Sequence, residues 1–222
     1  GETVLYSSAR NEYAITRMSR ILTRTVLTLQ KHLKQGSFQP DDYELSFRFA
    51  EDLDSIHVDL SEDEKMHLQG RIDRIDVSED AEHVYVKVID YKSGNRKFDL
   101  AALYYGLQLQ LVVYMNAAME SRKHPDKEIV PAALLYYHID DPTIETPVEL
   151  TDEQINEQIL AKLRMNGVVN SDPGVVERLD RYMQDKSVVI PVEKKKDGSF
   201  SARSGVLSRE EMQLISSYVD AK

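Results

Sequence analysis

Gly70-Arg71-Ile72-Asp73-Arg74-Ile75-Asp76 is followed, across the acidic turn Ser78-Glu79-Asp80-Ala81-Glu82, by His83-Val84-Tyr85-Val86-Lys87-Val88-Ile89-Asp90-Tyr91-Lys92-Ser93-Gly94. Strand-forming residues dominate both runs, which predicts strands over 66–77 and 83–92 joined as an antiparallel hairpin. Successive side chains of a strand point to opposite faces. Val84, Val86, Val88, Asp90 and Lys92 therefore share a face that is apolar along its length and charged only at its end. A normal hairpin register brings Asp73 to the level of that charged end. Two carboxylates and an ammonium then converge at one edge of a sheet.

Clustered carboxylates repel and call for a cation between them. Donors that are all oxygen suit a hard ion, Mg2+ or Mn2+, better than zinc. Such an ion polarises a phosphoryl oxygen and makes a nucleophile of bound water. Lys92 beside it is placed to orient that water or to stabilise charge developing on the phosphate. The chemistry is metal-assisted phosphodiester hydrolysis. Asp-x-Lys alone is a weak signal, because strand ends commonly carry a structural ion pair, and the neighbouring segments must supply the weight.

Upstream, residues 9–35 predict one amphipathic helix. Ile15, Met18, Leu22, Val26, Leu29 and Leu33 form its apolar stripe, and Gly36 and Pro40 end it. Arg10, Arg17, Arg24 and Lys31 make a basic row on another face. A solvated face is its commoner meaning and DNA contact the rival. Tyr43 to Phe49 alternates like a short strand, and the acidic run Glu51 to Glu64 reads as a solvated loop. Downstream, a helix is predicted over 99–120 with Leu103, Leu107, Leu111, Tyr114 and Ala118 on its core side, then a strand over 129–139. The last third predicts helices over 152–164, 173–184 and 208–219. It also predicts a hairpin of Ser187–Val192 with Ser199–Arg203 around Asp197-Gly198.

Composition narrows the classes. The 222 residues are 41% hydrophobic and 30% charged, an ordinary globular balance. No apolar run approaches a membrane span. Cysteine is absent, which excludes disulfides, zinc–thiolate sites, a Cys nucleophile and an iron–sulfur cluster held by this chain. The formal charge of -10 is the wrong sign for coating nucleic acid, so any DNA contact must be local. No Gly-rich Lys loop is present, so no ATP site is expected. The chain begins at Gly1, and we expect it to be a piece of a longer subunit.

Three segments occur in one order: Gly70 to Asp76, Ile89-Asp90-Tyr91-Lys92-Ser93-Gly94, and Gly106-Leu107-Gln108-Leu109-Gln110-Leu111-Val112-Val113-Tyr114-Met115. Together they resemble the PD-(D/E)xK nuclease superfamily, in the branch holding the nuclease domains of bacterial RecBCD- and AddAB-type helicase–nucleases. Met165-Asn166-Gly167 and Val188 to Val192 before Lys196-Asp197-Gly198 are similar to the B-subunit members. The resemblance implies an α/β restriction-endonuclease-like core, a mixed central sheet flanked by helices, over 1–150. A C-terminal helical and β-hairpin extension of the same domain would follow over 151–222. It implies that Asp73 and Asp90 bind metal with the backbone carbonyl of Tyr91, and that Lys92 is the catalytic lysine. A Gln-x-x-x-Tyr motif should support them. Gln110 and Tyr114 fit, and Gln108 is a rival because Gln-Leu-Gln-Leu leaves the register open. Glu44 is a further candidate acid beside the metal. Arg71, on the face of Asp73, is a candidate phosphate contact, and Arg74 and Asp76 should pair structurally.

By the same resemblance, the activity would be Mg2+- or Mn2+-dependent exonucleolytic cleavage of double- and single-stranded DNA ends. It would serve break resection and recombinational repair in the bacterial cytoplasm, alongside a motor A subunit. The rivals are a stand-alone exonuclease of the superfamily and a non-catalytic DNA-binding scaffold of the same fold. Two family features are missing: an upstream helix with a metal-binding histidine, a context His32 does not match, and the cysteines of a 4Fe-4S cluster. The cluster is expected in the parent subunit and cannot be bound by this chain.

Overall fold

The structure, a computed structural model, describes residues 8–48, 58–61, 64–66, 69–94, 97–146 and 149–220. In chain order the elements are α1 (Ala9–Gln35), β1 (Gln39–Arg48), β2 (Val58–Ser61), β3 (Glu64–Met66), β4 (Gln69–Glu79), β5 (His83–Lys92), α2 (Leu100–Tyr104), α3 (Gln110–Glu120), β6 (Glu128–His138), α4 (Asp152–Lys162), β7 (Asn166–Asn170), α5 (Pro173–Leu179), β8 (Val206–Leu207) and α6 (Arg209–Asp220).

The predicted hairpin is the middle of a six-stranded sheet ordered β1-β4-β5-β6-β7-β8. β4 pairs antiparallel with both β1 and β5, β5 parallel with β6, β6 antiparallel with β7, and β7 parallel with β8. The hairpin turn is pinned by Asp80, whose carboxylate accepts the backbone N–H groups of Glu82 and His83 at 3.0 and 2.8 Å. It also accepts the Tyr85 hydroxyl at 3.0 Å and the Arg178 guanidinium at 2.7 Å. These donors, led by the Glu82 N–H, hold its carboxyl well below the usual carboxylate range.

Period two divides the core into two layers. One face carries Ile75, Val84, Val86, Val88, Leu134 and Tyr136 against Leu111, Met115 and Ala118 of α3 and Met212 and Val219 of α6. The other carries Ile89, Ala133, Leu135 and Tyr137 against Val175, Val176 and Leu179 of α5 and the segment Val189 to Val192. Val86, Val88 and Ile89 are fully buried. Burying one such side chain is worth about 1.5–3 kcal/mol, so the middle of β5 anchors both layers.

Several expectations need correction. The stripe of α1 does not face the sheet: Met18, Leu22 and Val26 are more than half exposed, while Thr25, Thr28 and His32 are buried. The surface beneath α1 is partly polar, with the Tyr137 ring 6.2 Å from that of His32, and it takes the helix's Thr–Thr–His face. The helix over 99–120 is two helices. Gly106, at φ +77, breaks it, and Leu107 points to solvent at 72% exposure. The helix over 173–184 stops at Leu179, because Asp180 turns extended and buries its carboxylate on the Ser187 hydroxyl at 2.7 Å. The C-terminal hairpin is reduced to single bridges, Lys186–Glu193 and Lys194–Phe200, around a turn with Gly198 at φ +81. Ser187 explains the loss: its hydroxyl accepts the N–H groups of Val189 and Ile190, so the first arm coils instead of pairing. Most of the acidic run Glu51 to Glu64, and Phe49, lie outside the described residues. Its described part gives the small β2–β3 sheet. The last third supplies β7 and β8 to the central sheet itself.

Candidate active site

β4 and β5 pair with Arg74 opposite Ile89. One more step of that register sets Asp73 opposite Asp90, on the face where the apolar run of β5 ends. The Asp73 Oδ2 accepts the Tyr91 backbone N–H at 2.8 Å, which locks the two strand ends together. Asp90 is only 2% exposed. Its Oδ2 lies 2.6 Å from the Lys92 Nζ. Strand alternation makes this contact natural, since Asp90 and Lys92 are two residues apart on one face.

Helix α3 completes the arrangement. Gln110, in its first turn, accepts from the Lys92 Nζ through Oε1 at 3.1 Å, and its Nε2 donates to the Tyr114 hydroxyl at 2.7 Å. Gln110 and Tyr114 are one helical turn apart, the spacing at which side chains meet. The Lys92 ammonium also stands 5.4 Å from the centre of the Tyr136 ring, the parallel neighbour of Asp90. Lys92 is thus held by a carboxylate, an amide and an aromatic face. Gln108 does something else: its Oε1 accepts the Asp99 N–H at 2.9 Å and its Nε2 donates to the Lys97 carbonyl at 3.0 Å. Of the two rivals, Gln110 meets the lysine and Gln108 pins the turn before α2.

The other candidates are spread out. Glu44 lies across from Asp73 in the β1–β4 register, between the pairs Tyr43–Arg74 and Leu45–Ile72. It adopts φ +53, and its exposed carboxylate is 3.4 Å from the Arg71 guanidinium. Left-handed backbone at a non-glycine residue costs about 1–3 kcal/mol and is held by its surroundings. Arg10 and Arg17 are exposed on α1. Arg24 is not free for DNA, since its Nη1 is 2.6 Å from the Asp141 carboxylate, which Arg20 also grips. Arg20 first and Arg24 behind it depress the Asp141 carboxyl. The seven-residue row missed Arg20, although a residue three after Arg17 and four before Arg24 falls on the same side of a helix. Asp141 follows closely on His138, the parallel neighbour of Lys92, so these arginines gather near the same sheet end.

Behind the site, on the opposite face, lies a cluster the sequence showed only in part. Arg74 donates to Asp76 through Nε at 2.6 Å and Nη2 at 2.8 Å, the expected pair. Lys87 joins it, its Nζ 2.8 Å from Asp76 Oδ2. Arg74 Nη1 also reaches the Tyr91 hydroxyl at 3.4 Å. His32 lies on this side too, where burial and then the Lys87 charge push its pKa down to about 4. It is a neutral core histidine, remote from Asp73 and Asp90.

Among the described residues no three His, Asp or Glu side chains gather as a metal site. Asp73 and Asp90 with the Tyr91 carbonyl provide an all-oxygen set of three donors. Mg2+ binds through one or two carboxylates and keeps several waters or phosphate oxygens. The buried Asp90 oxygen already holds a cation in Lys92. On donor chemistry the residues fit a hard divalent ion.

A mixed sheet flanked by helices, carrying acid, acid and lysine at one strand edge, defines a nuclease of the restriction-endonuclease type. The model of the PD-(D/E)XK nuclease superfamily matches residues 2–207, and the chain belongs to that superfamily. It is similar to the B subunit of the ATP-dependent helicase/deoxyribonuclease of Clostridium acetobutylicum, at 40% identity over 220 residues, covering 99% of this chain and 19% of the relative. The same-named protein of Lachnoclostridium phytofermentans is 44% identical over 230 residues, with 99% and 19% covered. That of Thermoanaerobacter pseudethanolicus is 37% identical over 218 residues, with 98% and 19% covered. The chain thus spans about a fifth of the length of these relatives. No helix among the described residues is long and apolar enough to cross a membrane.

Proposed function

We propose that this chain is the DNA-hydrolysing domain of a helicase–nuclease subunit, cutting exonucleolytically from duplex and single-stranded ends during break resection and recombinational repair. The observation that supports it best is the Asp73–Asp90–Lys92–Gln110 arrangement on one sheet edge. Asp73, Asp90 and the Tyr91 carbonyl would hold Mg2+ or Mn2+, which when bound supplies Lewis acidity toward a phosphoryl oxygen and an acidified water. Asp90 and Gln110 fix the Lys92 ammonium at the strand edge, so its charge is aimed before substrate arrives. A positive charge positioned in advance stabilises the extra negative charge of the transition state without reorganising. The Tyr114 hydroxyl orients the Gln110 amide, which in turn presents its oxygen to Lys92. Hydrolysis adds water across one P–O bond and leaves a phosphate monoester and a free hydroxyl.

By the names of its relatives, the whole protein would act in the bacterial cytoplasm with a helicase partner, the motor A subunit. The test is degradation of end-labelled linear DNA by the full-length protein with that partner, with Mg2+ present, comparing parent, Asp90→Asn and Lys92→Ala. We expect losses on the order of 100- to 1000-fold, the range for removing a preorganised charge. Cleavage by Asp90→Asn at the parent rate would overturn the assignment. A covalently closed circle of the same DNA should resist the parent.

A further inference from the structure

Next to the catalytic edge opens a cleft of about 560 Å³ that none of the residues above requires. Lys97, Arg203, Phe98 and the backbone of Gly167 and Gly205 line it. It is coupled to the site through one ring. Tyr136 neighbours Asp90 on β6 and faces the Lys92 ammonium, and on its other side the Phe98 ring stands 6.5 Å away. Asn166, the β7 partner of Tyr136, accepts the Phe98 N–H at 2.6 Å. With Gln108 gripping Lys97 and Asp99, the turn that carries Lys97 is held at both ends.

The chemistry of the cleft is cationic and bare. Lys97 and Arg203 are exposed, and neither has an ion-pair partner among the described residues, in a chain of net charge -10. Asp99 also lines the cleft, but its carboxylate is taken by the Ala101 and Ala102 N–H groups. A Cβ on Gly167 would lie 2.0 Å from the Leu134 carbonyl and one on Gly205 2.2 Å from the Gly167 carbonyl, so these walls stay free of side chains. The amides that could read a base are occupied: Gln108 at both ends, Asn166 through its oxygen. Charge without free amides suits a phosphate and not a base edge.

We infer that this cleft is a subsite for a backbone phosphate of the bound DNA strand, adjacent to the one being hydrolysed, held by Lys97 and Arg203 without regard to sequence. The inference rests on the nuclease reading. The experiment measures binding of a fluorescent single-stranded oligonucleotide to the full-length protein in EDTA, over a range of salt, for parent and Lys97→Ala/Arg203→Ala. Each phosphate contact on a single strand contributes about 0.7 to the slope of log K against log salt, so the double variant should lose about 1.4. Between 50 and 200 mM salt its affinity should then fall about sevenfold less than the parent's. Affinity should drop equally for unrelated sequences. Methylphosphonate linkages walked along the oligonucleotide should weaken the parent at one position that no longer matters to the double variant. An unchanged slope in a double variant that still cleaves DNA overturns the subsite alone. A parent that neither binds nor cleaves DNA overturns the subsite together with the nuclease reading.

Discussion

Asp76→Ala should be among the most destabilising substitutions in this chain. The Asp76 carboxylate is completely buried and accepts from Arg74 at 2.6 and 2.8 Å and from Lys87 at 2.8 Å. Its two cations are 4% and 6% exposed. Burial by itself would raise the Asp76 pKa, but Lys87 and Arg74 outweigh it and hold the carboxyl below its usual range. Removing the carboxylate leaves two buried positive charges facing each other. Deleting one partner of a single buried pair costs about 3–5 kcal/mol. For a domain of this size that is a fall in Tm of about 6–20 °C. The cations have little to fall back on, apart from the Phe38 ring 4.9 Å from Lys87 and the Tyr91 hydroxyl beside Arg74. Replacing all three members, as in Arg74→Met/Asp76→Leu/Lys87→Met, removes the uncompensated charge and should cost far less than Asp76→Ala. Chemical denaturation followed by circular dichroism measures both. A loss under about 1 kcal/mol for Asp76→Ala, or a triple variant as damaged as the single one, would refute the reasoning.

Gln110→Ala should lower kcat about 10- to 100-fold with KM nearly constant, since it removes one hydrogen bond to a charged group worth about 1.5–3 kcal/mol. Gln108→Ala should leave kcat within a few-fold, and the reverse ranking in a steady-state assay would exchange their roles. His32 binds a proton near pH 6.5 when unfolded but only near 4 when folded. Over that window the unfolded state holds more protons, so stability falls as pH drops, by about 2–3 kcal/mol at pH 4.5 from this residue. His32→Leu should lose that part of the acid sensitivity in denaturation midpoints at pH 7 and 4.5, and a parallel loss in both proteins would count against it. Gly106 and Gly167 both have positive φ, at +77 and +146, but only Gly167 has backbone where a Cβ would go. Gly106→Ala should cost about 1–2 kcal/mol of backbone strain, and Gly167→Ala clearly more, because the β6–β7 pairing itself must shift. Equal midpoints for the two variants would show that the close approach at Leu134 is not rigid.

What the sequence disclosed followed from the range of the signals. The β4–β5 hairpin is local: period two, a short turn and a charged strand end all lie within one stretch, and the structure reproduces β5 at residues 83–92. The pairing of Asp73 with Asp90 follows from that register. The face of α1 is a different problem. Periodicity marks Met18, Leu22 and Val26 as a stripe but says nothing of what covers it, and the sheet takes the Thr25–Thr28–His32 side instead. Helix 99–120 failed at one residue, where Gly106 carried the signal of the break and Leu107 kept the rhythm going. Lys87 was unreadable, because a lysine among strand valines looks like a solvated position. Only its neighbour Asp76 on β4 makes its burial tolerable.

The two faces of the hairpin are coupled by alternation. Asp73 and Asp90 point one way, and Arg74, Asp76, Lys87 and Tyr91 the other. A slip of one residue in a strand exchanges every side chain between faces. Here it would send the Asp76 carboxylate into the Val84–Val86–Val88 layer and draw Asp73 behind the sheet. The buried charges therefore penalise the wrong register far more than an apolar patch would, because Val and Ile are at home in either layer. The triple variant should then separate two quantities that usually move together. Its denaturation midpoint should hold or rise, while amide exchange along 73–76 and 89–92 accelerates and cleavage slows through a loosened Asp73–Tyr91 contact. A triple variant with parental exchange in those strands would leave the charged cluster without a role in register.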